Sequence, residues 1–390
     1  MAVKCLIDGV APDQRVFYRF TATDLSDVNS TGQPVTGQFR AAPTQKRDIR
    51  FGWSGDTAGQ GFGIPEEGMR TYAAMSGHEL DFFIHSGDTI YADGPIKAEQ
   101  EHAGGVWKNV VVIPEVEKVA ETLDEFRGRY KYNQMDRFVQ SFCSEVPFYY
   151  QWDDHEVTNN WSPGKDLSGD DRYTEKSIAL LSARAGRAFH EMTPISYTAQ
   201  EPGRVYRAIH QGPLLDIFML DLRGYRAANN DSMQDSMGGD ATLLGEAQIA
   251  WLKDALRKST ATWKVIASDM PLSIVVWDNA KDKKGVEAVA NGDSGPAKGR
   301  ELEIADLLRF IRDQNVTNTV WLTADVHYTA ANHYSPDRAQ FQEFEPFWEF
   351  VSGPLNAGTF GPGEMDMTFG PKVEFVKAPG ADHQNLAPSE

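Results

Sequence analysis

Four apolar stretches of this chain end in side chains that bind cations or move protons. FGWSGD ends in Asp56, and FFIHSGDTIY carries Asp88 and Tyr91. FYYQWDDHEVTNNW carries Asp154, His155 and Asn159, and VWLTADVHYT carries Asp325 and His327. Strands that deliver carboxylate, imidazole and phenol oxygen at their C-terminal ends are how an α/β protein builds a metal site. The leading reading is therefore a hydrolytic metal centre.

The chemistry of each residue type sharpens that reading. Asp88 follows Gly87 on a tight turn, where one carboxylate can bridge two cations. Tyr91, three residues on, can reach the same ion, and a phenolate favours a hard trivalent cation such as Fe(III). The bland alternative is an Asp capping a turn beside a packed Tyr. Asp154 next to His155 suits one carboxylate ligand beside an imidazole that protonates a leaving oxygen. Asn159 offers a neutral carbonyl, and a helix-capping cluster is the alternative for the whole stretch. Asp325 and His327 share one face of an extended segment, because side chains alternate with period two; otherwise they are an exposed loop pair. Asp56 either ligates the first metal or is a turn residue. In LDLRGYR, Arg223 or Arg226 either holds a phosphate by a two-point hydrogen bond or pairs structurally with Asp221. Asp269, ending WKVIASD, is a further candidate ligand. His85, His190, His210 and His333 read as satisfied core or surface residues.

Strands and helices must position these groups. Residues 1–42 read as the remnant of an N-terminal β domain and linker, with VKCLIDG and QRVFYRFTATD as strand-like runs joined by APD. Residues 43–390 read as the main domain, and the chain looks cut at both ends. Strand, loop and helix then alternate. One long charged helix is expected through VEKVAETLDEFRGRYKYNQMDRFVQSF, and a hairpin turning at Gln211-Gly212-Pro213. LLGEAQIAWLKDALRKS reads as an amphipathic helix with Leu244, Ala247, Trp251 and Leu252 on one side. Segments 93–108 and 278–299 read as surface loops near the site, AGQGFGIP as a mobile loop over it, and the last fifteen residues as disordered. Parallel and hairpin connections with interspersed helices predict two stacked sheets flanked by helices.

Composition excludes several functions. With 390 residues, 41% of them apolar and 24% charged, the chain resembles an ordinary globular protein with a sizeable core. Acidic residues outnumber basic ones 56 to 38, for a net charge of −18. That argues against nonspecific binding of nucleic acid or anionic membrane, which needs clustered Lys and Arg. Bound cations would neutralise part of the charge. Cys5 and Cys143 cannot form a disulfide framework and lie in no CxxC pattern. The sequence has no apolar run long enough for an integral membrane segment, and no signal peptide. It also has no GxSxG elbow, no GxxxxGK[ST] loop and no GxGxxG after a strand.

The motifs GDTIYAD, WDDHEVTNNW, LDLRGYR, WKVIASDMPL, GPAKGRELE and TADVHYTA, in this order over about residues 48–355, resemble the PhoD-like (alkaline phosphatase D) metallophosphoesterases. The chain is distantly similar to purple acid phosphatases as well. The resemblance implies a four-layer α/β/β/α metallophosphoesterase sandwich with a partial N-terminal Ig-like β segment. It also implies a phosphate ester substrate and a periplasmic or secreted location. It implies that Asp88 bridges two metal ions, with Tyr91 and His327 on a ferric ion and Asp154, Asn159 and Asp325 on a second, divalent ion. Fe(III) plus Ca(II) is the pair implied, with Zn, Mn or Mg as alternatives. His155 would donate a proton, and Arg223 would bind a phosphoryl oxygen. Better-known members carry a cysteine ligand where this chain has Ser54-Gly55-Asp56, so Asp56 would take its place. The expected function is metal-dependent hydrolysis of phosphomonoesters or diesters. A phospholipase D-like phosphodiesterase and a non-catalytic metal-binding scaffold are the alternatives.

Overall fold

A computed structural model describes residues 2–196, 200–380 and 383–388. Strands β1 (Arg15–Phe20) and β2 (Val35–Arg40) form an antiparallel hairpin. Strand β3 (Phe51–Thr57), helix α1 (Arg70–Met75) and strand β4 (Phe82–Ser86) follow. A small hairpin of β5 (Glu99–His102) and β6 (Gly105–Lys108) comes next. Helices α2 (Leu123–Asn133) and α3 (Arg137–Glu145) lead into β7 (Phe148–Gln151). Helix α4 (Ile178–Met192) precedes the pair β8 (Arg207–Gln211) and β9 (Leu215–Met219), and α5 (Glu246–Lys258) leads to β10 (Trp263–Ala267). A hairpin of β11 (Trp277–Asn279) and β12 (Lys284–Val286) precedes α6 (Glu301–Asp313) and β13 (Thr319–Thr323). Strands β14 (Thr329–Tyr334), β15 (Phe347–Val351), β16 (Pro354–Asn356) and β17 (Pro371–Lys377) close the chain.

Two sheets dominate this mixed α/β architecture. One is parallel throughout, in the order β16-β3-β4-β7. The other has the order β17-β14-β15-β13-β10-β9-β8, with β9, β10, β13 and β15 parallel at its centre. Phe82 and Ile84 of the first sheet share a buried cluster with Leu215, Ile217, Met219, Val265 and Leu322 of the second. The inner faces therefore pack on each other. On the outer face of the larger sheet, Leu252, Leu256, Leu307 and Ile311 of α5 and α6 cover Phe218, Ile266 and Trp321. On the outer face of the smaller sheet, Tyr72, Val139 and Phe142 of α1 and α3 cover Phe83. Each such fully buried side chain contributes about 1.5–3 kcal/mol. Gln151, at the end of β7, donates to Leu220 O at 3.0 Å and Ala267 O at 2.8 Å, tying the two sheets together at their C-terminal edges.

Several expectations need correction. The single long helix is two, because the Asp136 carboxylate accepts from the N–H groups of Phe138 and Val139 and starts a new helix. Thr122 and Glu125 form a capping box that starts α2. VKCLIDG forms no strand, and β1 pairs with residues 35–40 instead. The buried stripe of α5 is Gln248, Ile249, Leu252 and Leu256, and Ala247 is exposed. The expected loops contain the hairpins β5–β6 and β11–β12, and residues 286–291 are buried. Gly59 and Gly61 are buried, and Phe62 is 0% exposed, so AGQGFG is packed in place. The terminal segment reaches back, with Thr359 N donating to Leu386 O at 3.1 Å. The hairpin at residues 211–213 forms as expected, joining β8 to β9. Among the described residues, no helix is long and apolar enough to cross a membrane.

Candidate metal centre

The two sheets place their parallel C-terminal ends along one edge. There β3 delivers Asp56, the turn after β4 delivers Asp88 and Tyr91, and the turn after β7 delivers Asp153, Asp154 and His155. From the larger sheet come Arg223 after β9, Asp269 after β10, and Asp325 and His327 after β13. Backbone conformation marks the same residues. Asp56 (φ 66°), Asp88 (φ 51°), Asp325 (φ 66°) and His327 (φ 61°) all lie in the left-handed region. Each costs about 1–2 kcal/mol for an L-residue, and such strain concentrates where function over-determines the backbone. Gly87 is required beside them: it has φ 97°, and a Cβ there would stand 2.4 Å from Asp153 Cβ.

Ligand-type atoms converge in three groups, each with its atoms within 4.8 Å of one another: Asp56, Asp88 and His327; Asp88, Asp154 and His155; Asp153, Asp154 and Asp325. Around the first group, Tyr91 Oη lies 3.0 Å from Asp56 Oδ1 and 2.9 Å from His327 Nε2. His327 Nε2 is also 3.0 Å from Asp56 Oδ1, while Nδ1 is fixed by the carbonyl of Gly358. Glu156 holds the neighbouring turns by accepting from the N–H groups of Asp88 at 3.0 Å, Thr89 at 2.6 Å and Asp153 at 2.7 Å.

His155 lies over this floor, its ring stacked on Tyr91 with centroids 4.1 Å apart. Its Nδ1 is 2.6 Å from Asp93 Oδ1, which leaves Nε2 for other contacts. Burial alone would lower its pKa, but Asp93 and Asp154 raise it to about 9. Burial would raise Asp93, yet the charge and hydrogen bond of His155 hold it below the usual carboxylate range. A cleft of about 500 Å³ opens beside them, lined by Tyr91, His155, Asn159, Lys97, Gln100 and Arg172.

The structure gathers Asp56, Asp88, Tyr91, Asp154, His155, Asp325 and His327 in one place. Asn159 is exposed at the cleft, its backbone N–H 3.1 Å from Asp93 Oδ2. Arg223 departs from expectation. It is 0% exposed, bonds Asp153 and Glu287, and lies 3.4–3.9 Å from Asp269, Asp325 and Asp154. It sits behind the carboxylates with no face open to a phosphate. Its side chain does not pair with Asp221 either, which accepts instead from Trp152 Nε1 and from the backbone of Arg223 and Gly224. The sequence reading missed the roles of Asp93, Asp153, Glu156 and Glu287. Asp93 closes the GDTIYAD motif, and the other two acids of WDDHE are Asp153 and Glu156, so a signal was present for three of the four.

The donor set fits cations. Asp88 and Asp325 are pushed well above the usual carboxylate range, first by burial and then by the surrounding carboxylates. Burial with Asp56, Asp88 and Asp154 nearby pushes the Tyr91 phenol up as well. Asp56 Oδ2 and Asp154 Oδ1 are buried and make no hydrogen bond. Buried carboxylates that raise one another's pKa values are relieved by added positive charge. All-oxygen and imidazole donors suit hard or borderline metal ions.

Comparison with known proteins places the chain in a family. The chain is 28% identical over 365 residues to "Alkaline phosphatase D" of Bacillus subtilis (strain 168), an alignment covering 91% of this chain and 58% of that protein. It thus spans less than two thirds of the relative's length. A solved structure described as "Structure of PhoD" shares the fold, with a TM-score of 0.67 and 24% identity over 90% of this chain and 65% of that one. The model of the PhoD-like phosphatase family matches residues 51–389, and the chain belongs to that family.

Proposed function

We propose that this centre hydrolyses phosphate esters with two bound cations, on a frame that is the four-layer sandwich of metallophosphoesterases. The observation that carries the proposal is that Asp88 alone joins the group of Asp56 and His327 to that of Asp154 and His155, while Asp154 in turn joins the latter to Asp153 and Asp325. Asp56, Tyr91, His327 and Asp88 would hold one cation. Asp88, Asp154 and Asp325 would hold the other, with Asn159 as a carbonyl donor from the exposed lip. Cations bound there would polarise the phosphoryl group and lower the pKa of the attacking water.

The remaining work falls to the chain itself. Asp93 fixes the His155 ring and raises its pKa, which favours the protonated imidazole that can give a proton to the leaving oxygen. Stacking on Tyr91 limits the motion of that ring. Lys97 and Arg172 line the cleft and favour an anionic ester there despite the net charge of −18. Arg223 offsets part of the charge of the buried carboxylates from behind.

The test is a side-by-side assay of p-nitrophenyl phosphate and bis-p-nitrophenyl phosphate on the native chain and Asp88→Ala, with bound metal measured in both. Hydrolysis and metal lost together in D88A support the proposal, and the ratio of the two rates assigns monoester or diester preference. Metal-replete native protein inactive on both substrates would point to a binding scaffold instead.

A further inference from the structure

His85 is buried in β4, with 1% exposure, and touches none of the candidate ligands through a hydrogen bond. Its ring instead joins the two residues that follow them. Nε2 is 3.1 Å from Thr57 Oγ1, the residue after Asp56, and Nδ1 is 3.3 Å from Thr89 Oγ1, the residue after Asp88. The same two turns are linked by backbone, with Thr57 N donating to Asp88 O at 2.9 Å and Asp56 N to Gly87 O at 3.3 Å. Asp56 and Asp88 both sit in the left-handed region, so these turns do not hold their shape by intrinsic preference.

We propose that His85 is a positioning residue whose imidazole, bridging the Thr57 and Thr89 hydroxyls, sets the spacing of the turns that carry Asp56 and Asp88. A neutral imidazole has one N–H donor and one lone-pair acceptor, and each hydroxyl can play either part. The bridge therefore closes with either tautomer. Burial lowers the pKa of His85 to about 4, which keeps the ring neutral through the working range.

Two further contacts hold the bridge in place. Tyr72 Oη is 2.9 Å from Thr57 Oγ1, and the Tyr150 ring stacks on His85 with centroids 5.6 Å apart. Beneath the ring is a cavity of about 80 Å³ lined by Thr57, Tyr72, Thr89, Tyr130 and Tyr150. The buried Tyr130 hydroxyl there has no hydrogen-bond partner among the described residues. Val139, Phe148 and Met192 also line it, so the cavity is small and of mixed polarity. Glu156 and the backbone bonds also hold these turns, and the His85 bridge adds a directional tie between the two hydroxyl-bearing residues.

The experiment uses the full chain, metal-stripped, with His85→Phe, Thr57→Val, Thr89→Val and their combinations. Phenylalanine keeps the stack on Tyr150 and removes both hydrogen bonds. One arm is amide hydrogen exchange without metal. Residues 56–58 and 88–90 should exchange about tenfold faster in H85F, while residues 215–219 of β9 keep their native rate. The second arm, which rests on the function proposed above, is calorimetric titration with Mn(II). Affinity should fall about 10–100-fold in H85F, as for outer residues that orient metal ligands. T57V and T89V should each lose less, and adding either to H85F should cost nothing more.

Native exchange together with native Mn(II) affinity in folded H85F would overturn the proposal. If H85F does not fold, the threonine variants decide: strictly additive losses in T57V/T89V contradict a shared bridge, and coupled losses support it. A native chain that binds no Mn(II) defeats the two-cation reading, and the exchange arm still decides the role of His85.

Discussion

The two halves of the centre solve the problem of buried charge differently. In one half, Asp56 and Tyr91 from the smaller sheet and His327 from the larger form a closed triangle of contacts at 2.9–3.0 Å, mixing carboxylate, phenol and imidazole. In the other, Asp153 and Asp154 from the smaller sheet crowd with Asp269, Glu287 and Asp325 around one guanidinium, that of Arg223. The first half has varied donors and no built-in cation, and such a set selects a metal by type. The second is nearly all oxygen and partly neutralised already, and such a set binds a hard divalent ion by charge. Asp88, between them, belongs to groups on both sides.

Loss of the shared residue should be the most severe change. Asp88→Ala should remove metal from both halves and lower kcat/KM by about 10³-fold or more, roughly 4 kcal/mol of barrier. If only one cation were lost, the halves would be independent and Asp88 would not bridge.

Arg223→Met should strike one half alone. Removing one partner from a buried ion cluster costs about 3–5 kcal/mol of stability, read as a lower thermal midpoint. Saturating Ca(II) should recover more of that midpoint in the variant than it adds to the native chain. Equal gains in both proteins would show that Arg223 and the cation do not share the same carboxylates.

His155→Ala should lower kcat by about 10²-fold or more with bound metal unchanged. The sign of the pH dependence follows from the raised pKa. A proton donor is competent below its pKa, so native kcat should fall as pH rises through that of His155, which cations bound beside Asp154 would bring below the metal-free value of about 9. Asp93→Asn removes the first of the groups that raise that pKa, and the alkaline limb should move to lower pH. An unmoved limb in D93N would remove His155 from the proton transfer.

The smallest effect is expected at Asp56. Asp56→Cys should retain activity within about tenfold while shifting metal preference toward softer ions, because a thiolate replaces one oxygen donor of the mixed half. Competition between Zn(II) and Mn(II) reads this directly, and an unchanged ratio would mean that Asp56 is not a ligand.

The strand ends were legible because the signal is local. An apolar run followed by Gly-Asp or by Asp-x-His exposes its candidate ligands within a few residues, and the fold gathers them on one edge. The supporting acids lie mostly within the same motifs, but their roles were not legible, because their partners are distant. Asp93 meets His155 across 62 positions, and Arg223 meets Asp153 across 70. Asp153 and Asp154 are adjacent in sequence, yet Arg223 bonds the first while the second also faces Asp88 and His155. Nothing in their spacing distinguishes them. The helix break at Asp136 was hidden for another reason: a capping Asp inside a continuous charged stretch looks like surface until its side chain is seen to bond the next turn. At residues 3–9, alternating apolar residues suggested a strand, but no neighbouring strand pairs with them.

The central claim is that one carboxylate serves both halves, and metal stoichiometry tests it most directly. Elemental analysis of the native chain and Asp88→Ala, each reconstituted and desalted together, should find two cations per native chain and essentially none in the variant. Two cations retained by a folded D88A would contradict the account.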